Sequence, residues 1–178
     1  MQKFNLTNSL TIFEFDEKDY LEKNKKICDI LNKIFSGFDE DDNTSFAREY
    51  LDNLNGDIFL SKKKIRIFLL KQNTEYVSFL IFDNNQIKLI WTNNEYAKLG
   101  FATILLRATT TILFEDGVRH CDVEIEKENL IGQSLFDSFG KVDGVVVKRD
   151  EKEKIKYNFD IENIDVSKIL QDIKNFAI

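Results

Sequence analysis

The sequence predicts an α/β (α+β mixed) fold, in which helices cover both faces of a central mixed, mostly antiparallel sheet. Two periodicities predict it: apolar residues alternate with polar ones over short segments, and recur at helical spacing over longer ones. The two kinds of segment are interleaved along the chain, as in a sheet with helices packed against it. The length of 178 residues suits one compact core, so we expect residues 1–178 to form a single domain.

The first half of the chain is predicted to form a strand, two helices and three further strands. Leu10–Phe15 is apolar and partly alternating, and a helical pattern then continues to Gly37. A second helical pattern over 46–54 ends at Gly56. Short Asn-containing turns separate three segments rich in β-forming residues, so an antiparallel meander is expected over 64–70, 76–82 and 87–92.

The second half begins with a long helix, because the apolar residues from Phe101 to Ile112 share one face and the pattern stops near Asp116-Gly117. Segment 120–126 then alternates apolar and acidic side chains, which predicts a strand with two unlike faces. The remaining predicted elements are a short helix, a hairpin of two strands and an extra C-terminal helix, over 130–139, 145–148, 155–161 and 166–176.

Composition excludes several functional classes. The net charge of -6 disfavours binding to nucleic acid, which requires clustered cations. No segment approaches the ~20 apolar residues of a membrane span, so we expect no membrane partner and a cytoplasmic location. Cys28, Cys121 and His120 are too few to form a tetrahedral zinc site, and no metal is expected.

The passage from the strand at 87–92 into the helix at Phe101 carries the strongest chemical signal. A loop that turns directly into a helix presents unpaired backbone N–H groups and the positive end of the helix dipole, which together bind phosphate groups. Gly100 permits close approach of the backbone, and Ala102 keeps the first turn free of bulk. We therefore expect a diphosphate to contact the N–H groups of Lys98, Leu99, Gly100, Phe101, Ala102 and Thr103.

This passage resembles the acetyl-CoA motif of the Gcn5-related N-acetyltransferase (GNAT) superfamily, whose pattern is Gln or Arg, two residues, Gly, one residue, then Gly or Ala. Gly100 and Ala102 match it, whereas Ala97 replaces the Gln or Arg. Segment 129–140 resembles a second family pattern of Asn, Ala, Leu-Tyr and Gly with every spacing kept. The order of predicted elements over 10–161 also matches the family, which implies a GNAT-like sheet.

The resemblance implies acetyl-CoA (coenzyme A) as the cofactor. In the family, the strand before the first motif splays from its neighbour and the acyl chain enters the space between them. By resemblance, Trp91 and Thr92 would offer backbone groups to the thioester and pantetheine arm, and the Asn129 side chain would bind the pantetheine. Phe136 would line the same site, where many family enzymes place the tyrosine that protonates the leaving thiolate.

The implied function is acetyl-CoA-dependent N-acetyltransferase activity: the primary amine of a small molecule or peptide attacks the thioester directly. Glu124 is the expected general base, at a position where acetyltransferases of the ribosomal-protein type carry a glutamate; Asp122 and Glu126 share its face. A purely solvated strand face is an equal alternative for Glu124. Because Phe136 has no proton to give, a catalytically weakened module that binds CoA or a partner without turnover is the alternative function, and a homodimer is left open.

Four consecutive acids at 39–42, between the two predicted helices, suggest where the acceptor enters. In the family this connection borders the acceptor groove. A run of acids there would attract a cationic amine, although a solvated loop without a partner accounts for it equally well.

Overall fold

The computed structural model describes residues 1–35, 65–137, 139, 141–149 and 152–161. Within these ranges the elements follow one another in the order β1 (Gln2–Asn5), β2 (Leu10–Phe15), α1 (Glu17–Phe35), β3 (Ile65–Gln72), β4 (Glu75–Asp83), β5 (Gln86–Thr92), α2 (Phe101–Glu115), β6 (His120–Glu126), α3 (Leu130–Asp137), β7 (Lys141–Arg149) and β8 (Lys152–Asp160). A short 3-10 turn, Asn94–Tyr96, joins β5 to the loop before α2.

The strands form one sheet in the order β1-β2-β3-β4-β5-β6-β8-β7. Neighbouring strands are antiparallel, except that β5 and β6 run parallel because α2 carries the chain back across the sheet. The predicted mixed, mostly antiparallel sheet is therefore confirmed.

Asparagine residues make the tight turns of the meander. Asn73 has φ 53°, and Asn84 and Asn85 have φ 47° and 67°. Asparagine tolerates this left-handed region better than most residues, and two consecutive positive φ angles are typical of the type I′ hairpin turn. The turns predicted at these positions are confirmed, and they set the register of β3, β4 and β5.

Helices cover both faces of the sheet, as predicted, and each face has its own apolar core. On one face α1 packs through Ile27, Leu31 and Ile34 against β2, β3 and β4. On the other face α2 and α3 pack against the sheet, and their buried side chains include Phe101, Ile104, Leu105, Ala108, Ile112 and Phe136. Among the described helices, none is both long and apolar enough to cross a membrane.

Several boundaries differ from those predicted. β1 was not predicted, because its residues are mostly polar and exposed and it pairs with β2 at the sheet edge, where the Thr11 hydroxyl also donates to Asn5 Oδ1 at 3.2 Å. β7 begins at Lys141 rather than at 145, because a register shift between Val142 and Val146 allows pairing with β8 on both sides of the irregularity. The predicted helices over 46–54 and 166–176 and the acids at 39–42 lie outside the described residues.

Candidate active site

The central feature of the candidate site is an opening between two neighbouring strands. β5 and β6 are paired at Gln86 with Asp122 and at Ile87 with Val123, and the Asp122 N–H donates to the Asn85 carbonyl at 2.9 Å. Their pairing ends there. Residues 89–92 of β5 continue to pair with β4, and residues 124–126 of β6 with β8. We call the space between these two segments the β5–β6 gap.

An extra residue in β5 accompanies the separation. In the ladder with β4, Ile81 pairs with Leu89 whereas Phe82 pairs with Ile87, so Lys88 is a bulge. A bulge bends its strand and increases the local twist. Lys88 follows directly after the last β5–β6 pair, and the bulge therefore lies where β5 turns away from β6.

The register decides which backbone groups of β5 face the gap. The Asn93 N–H donates to the Val77 carbonyl at 2.9 Å, and the Trp91 carbonyl accepts from the Ser78 hydroxyl at 2.6 Å, so both residues direct backbone groups toward β4. Backbone groups alternate sides along a strand. The N–H and C=O groups of Ile90 and Thr92 therefore face the gap.

Two β5 residues, Trp91 and Thr92, were predicted to offer backbone groups to the cofactor. The backbone groups of Thr92 face the gap, whereas the Trp91 carbonyl points toward β4. Ile90 was not singled out from the sequence. The assignment depends on the register between β4 and β5, for which the local sequence carries no signal.

The loop after β5 leads directly into the N-terminus of α2 through two residues with positive φ angles. Lys98 has φ 63° and Gly100, the N-cap residue, has φ 80° with no side-chain cap. The first helical bond runs from the Ile104 N–H to the Gly100 carbonyl at 3.0 Å, so the helix supplies no acceptor for the N–H groups of 101–103. Unpaired N–H groups and the positive end of the helix dipole are the features on which the predicted anion site depends.

The side chains around this terminus range from buried to exposed. Phe101 is buried and its ring meets Tyr96 edge-on, with centroids 5.9 Å apart, so only its backbone is available to a ligand. Lys98 and Leu99 are exposed, and Ala102 and Thr103 are half-buried.

Asn129 caps the first turn of α3, next to the end of β6. Its Oδ1 accepts from the Gly132 N–H at 2.8 Å. This bond uses the oxygen in the cap and leaves the amide nitrogen Nδ2 as the donor that Asn129 can offer to a ligand.

Large exposed apolar side chains lie beside the helix starts that follow β5 and β6. Among the described residues, apart from Met1, the large apolar side chains that are exposed are Leu99 (48%), Leu130 (72%) and Ile131 (82%). Leu99 precedes α2, and the other two open α3. Isolated exposed apolar residues are ordinary, and these three are distinguished by their position at the two helix starts.

Glu124 occupies a particular place on β6. Cys121, Val123 and Ile125 point into the core beneath α2 and α3, so the acidic side chains that alternate with them lie on the α1 face. Asp122 stands opposite Gln86, where the strands are still paired, and its Oδ2 lies 3.0 Å from Lys156 Nζ. Glu124 is the first acid beyond the last β5–β6 pair.

Phe136 belongs to the core beneath α3. It is 1% exposed and packs against Tyr157 and Phe159, at centroid distances of 6.0 and 6.2 Å. The Tyr157 hydroxyl donates to Asp137 Oδ1 at 3.1 Å, and burial, aided by Asp137, raises the pKa of Tyr157. Phe136 thus contributes packing and no proton.

Cys121 shows no sign of reactive chemistry. Cys121 is buried, and burial raises the pKa of its thiol to about 12, so it carries no thiolate near neutral pH. Cys28 is half-buried on α1. In the part of the chain that the structure describes, no group of three or more His, Cys, Asp and Glu side chains could hold a metal ion.

No protein-family model and no curated protein matches this sequence. Solved structures do match its fold. The ribosomal-protein-S18-alanine N-acetyltransferase from Escherichia coli aligns with a TM-score of 0.56 at 16% identity, covering 88% of this chain and 96% of its own. RimL, a ribosomal L7/L12 alpha-N-protein acetyltransferase solved with coenzyme A, aligns at 0.61 and 13% identity, covering 92% and 100%.

A third similar structure is the PaiA N-acetyltransferase from Thermoplasma acidophilum in complex with coenzyme A, with a TM-score of 0.54 and 16% identity over 83% of this chain and 98% of that one. At these identities the similarity concerns the fold. The chain has the fold of the Gcn5-related N-acetyltransferases, as the resemblance of its motifs implied.

Proposed function

We propose that this protein is an acetyl-CoA-dependent N-acetyltransferase that transfers an acetyl group to a primary amine of a small molecule or peptide. The observation that carries the proposal is the β5–β6 gap, which opens beside the uncapped N-terminus of α2. The acetyltransferase fold of the solved structures, two of which hold coenzyme A, supports it.

The described residues fit the cofactor in three places. Backbone N–H groups at 100–103 provide an anion site for the pyrophosphate. The backbone of Ile90 and Thr92 on the gap edge can pair with the pantetheine arm as a neighbouring strand would. Asn129 Nδ2 supplies a side-chain donor from α3, while Leu99, Leu130 and Ile131 offer apolar surface.

Bound acetyl-CoA would supply an activated acyl group as a thioester. Glu124 then acts as general base: it accepts a proton from the acceptor amine, whose lone pair attacks the acyl carbon. An N–H group of the gap edge, at Ile90 or Thr92, stabilises the negative charge that develops on the acyl oxygen. Glu124 suits this role better than Asp122, since Asp122 lies where the strands are closed and Glu124 is the first acid beyond the last β5–β6 pair.

Phe136 is the specific observation that favours the alternative, a module that binds CoA or a partner without turnover. Its ring is buried and cannot donate a proton. General acids contribute ~100- to 10,000-fold, so loss of the acid predicts a slow enzyme, in which solvent protonates the leaving thiolate. Thiol release with amine acceptors separates a slow enzyme from a binding module.

The first experiment is a titration with acetyl-CoA, followed by thermal unfolding and by the fluorescence of Trp91, the single tryptophan of the chain, which lies on β5. Acetyl-CoA at 100 times its dissociation constant should stabilise the protein by ~2.7 kcal/mol. Gly100→Glu should abolish this shift, because it places a carboxylate among the phosphates and a side chain at φ 80°.

Gly117→Ala is the matched control for backbone strain, because Gly117 has φ 87° with open space around it and lies at the far end of α2. It should lower the melting temperature and keep the shift on acetyl-CoA addition. If the wild-type protein shows no shift at millimolar acetyl-CoA, the cofactor assignment is wrong.

A further inference from the structure

Ser78 of β4 contacts two consecutive residues of β5 at the edge of the β5–β6 gap. Ser78 is fully buried, and its hydroxyl donates to the Trp91 carbonyl at 2.6 Å. Its Oγ also lies 3.0 Å from the hydroxyl oxygen of Thr92, which stands directly opposite Ser78 in the β4–β5 register. The two hydroxyl groups therefore form a short hydrogen-bonded chain that ends at Thr92, the last residue of β5.

The hydroxyl protons fix the direction of this chain. A carbonyl oxygen can only accept a hydrogen bond, so the contact with Trp91 uses the one hydroxyl proton of Ser78. The contact between the two hydroxyl groups then takes its proton from Thr92, whose O–H donates to Ser78 Oγ. The Thr92 side chain is thus left with lone pairs only, which makes it an acceptor toward any further partner.

The Thr92 side chain lies on the face of the sheet that carries α2 and α3. Leu80, two residues after Ser78 on β4, belongs to the core beneath those helices, so Ser78 and the opposite Thr92 share that face. Thr92 is half-buried, and its backbone groups face the gap. It is also the residue of the gap edge that is nearest along the chain to the N-terminus of α2.

An acceptor at this place suits the pantetheine arm of coenzyme A. Each amide of that arm has an N–H donor and a carbonyl acceptor. A freely rotating hydroxyl would donate to the carbonyl as readily as it would accept from the N–H. Because Ser78 takes the proton of Thr92, the side chain can bind the N–H side of an amide and not its carbonyl side. The same arrangement withholds this proton from the acyl oxygen, for which backbone N–H groups are the proposed donors.

We infer that Ser78 fixes Thr92 Oγ1 as the acceptor for an amide N–H of the pantetheine arm, which makes Ser78 a positioning residue of the cofactor site. The inference rests on the proposed function. The amide on the phosphate side of the arm is the expected donor, because Thr92 directly precedes the loop to the proposed anion site. The site should therefore distinguish an amide from an ester of the same shape at this position.

The test compares coenzyme A with an analogue in which an ester oxygen replaces the N–H of that amide. Calorimetry gives the dissociation constants of both ligands for wild type, Thr92→Val, Thr92→Ser and Ser78→Ala, and their ratio is taken for each protein. Thr11→Val is the matched control. Thr11 is a half-buried strand residue whose hydroxyl donates to Asn5 Oδ1 on the paired strand at 3.2 Å, near the sheet edge away from the gap.

Wild type should bind coenzyme A about fivefold to tenfold more tightly than the ester, which loses a hydrogen bond and places an oxygen against the lone pairs of Thr92. Thr92→Val should remove or reverse this preference, whereas Thr92→Ser and Thr11→Val should keep it. Ser78→Ala should lower the ratio to about twofold, because the released Thr92 hydroxyl can then donate to the ester. A purely structural role of Ser78 would lower the melting temperature and leave the ratio unchanged, since both ligands bind the same variant.

Equal binding of the two ligands by wild type overturns the inference, and so does a preference that persists in Thr92→Val. A Ser78→Ala protein that keeps the full wild-type ratio overturns the role assigned to Ser78. Failure of the proposed function has a different signature: wild type then binds neither coenzyme A nor the ester, and its thermal unfolding does not respond to acetyl-CoA.

Discussion

The two halves of the sheet differ in how completely their strands are paired and buried. β4, with neighbours paired along both edges, has Phe79, Leu80 and Ile81 fully buried. β5, the next strand, is paired with β6 over two residues, and its side chains from Lys88 to Thr92 are only partly buried. We call β2, β3 and β4 the closed half, and the β5–β6 gap with the starts of α2 and α3 the open half.

This difference indicates which half stabilises the fold and which half is available to a ligand. In the closed half, backbone groups pair within the sheet and apolar side chains fill both cores. In the open half, the gap edge of β5 and the first turn of α2 keep N–H groups that the adjoining elements do not use. Substitutions in the closed half should therefore change folding, and those in the open half should change ligand binding or turnover.

The largest effect is expected from Phe79→Ala. Phe79 is fully buried in the core beneath α1, and truncating such a side chain lowers the unfolding free energy by ~3–5 kcal/mol. Leu89→Ala on β5 is the matched control, because Leu89 is half-buried against the same core. Denaturant unfolding should give a clearly smaller loss for Leu89→Ala, and equal losses would contradict the division into two halves.

Glu124→Gln tests the catalytic side of the open half. If Glu124 is the base, kcat should fall by ~100-fold or more while the dissociation constant of acetyl-CoA stays within a factor of two, since the base acts on the acceptor. Glu126→Gln is the control on the same face, farther along β6. Equal losses in both variants, or none in Glu124→Gln, would place the base elsewhere or favour the non-enzymatic module.

The sequence predicted the closed half well, because its signals are local. Alternation, helical periodicity and Asn turns each depend on residues close in the chain, and β2 was predicted with its observed bounds. The start of α2 after Gly100 was also predicted, because its signals are consecutive in the sequence, and the predicted anion site depends on that start.

The open half was predicted only through a family resemblance. The gap exists because β5 and β6, more than thirty residues apart in sequence, pair at Ile87 with Val123 and then separate. Local periodicity does not encode that register, and for the same reason it did not distinguish Ile90 from Trp91 at the gap edge. Nor did it indicate that Lys156 would lie beside Asp122.

Serine substitutions at Leu130 and Ile131 should separate binding from stability in the open half. Both side chains are largely exposed, so each change should alter the unfolding free energy by less than ~0.5 kcal/mol. If acetyl-CoA covers them, each should lose ~1 kcal/mol of affinity, about fivefold, through lost apolar burial. Lys18→Ser, on exposed α1 surface, is the control, and Trp91 fluorescence titration is the measurement. Unchanged affinity in both serine variants would remove α3 from the cofactor site.

Gly132→Ala is expected to change stability and binding in opposite directions. Gly132 lies in the first turn of α3, where alanine favours the helix by up to ~1 kcal/mol. A Cβ there would lie 3.0 Å from Asn129 Nδ2 and 3.1 Å from its Oδ1, closer than normal packing allows. The Asn129 amide must therefore move by a few tenths of an ångström.

If Nδ2 binds the pantetheine arm, this movement weakens a hydrogen bond of ~0.5–1.5 kcal/mol, so affinity for acetyl-CoA should fall by at most about tenfold. The melting temperature of the ligand-free protein should rise in the same variant. Asn129→Ala should lose the cap as well as the donor, and so should lower both quantities. A Gly132→Ala protein that is more stable and binds acetyl-CoA as tightly as wild type would show that Asn129 serves α3 as a cap and takes no part in holding the cofactor.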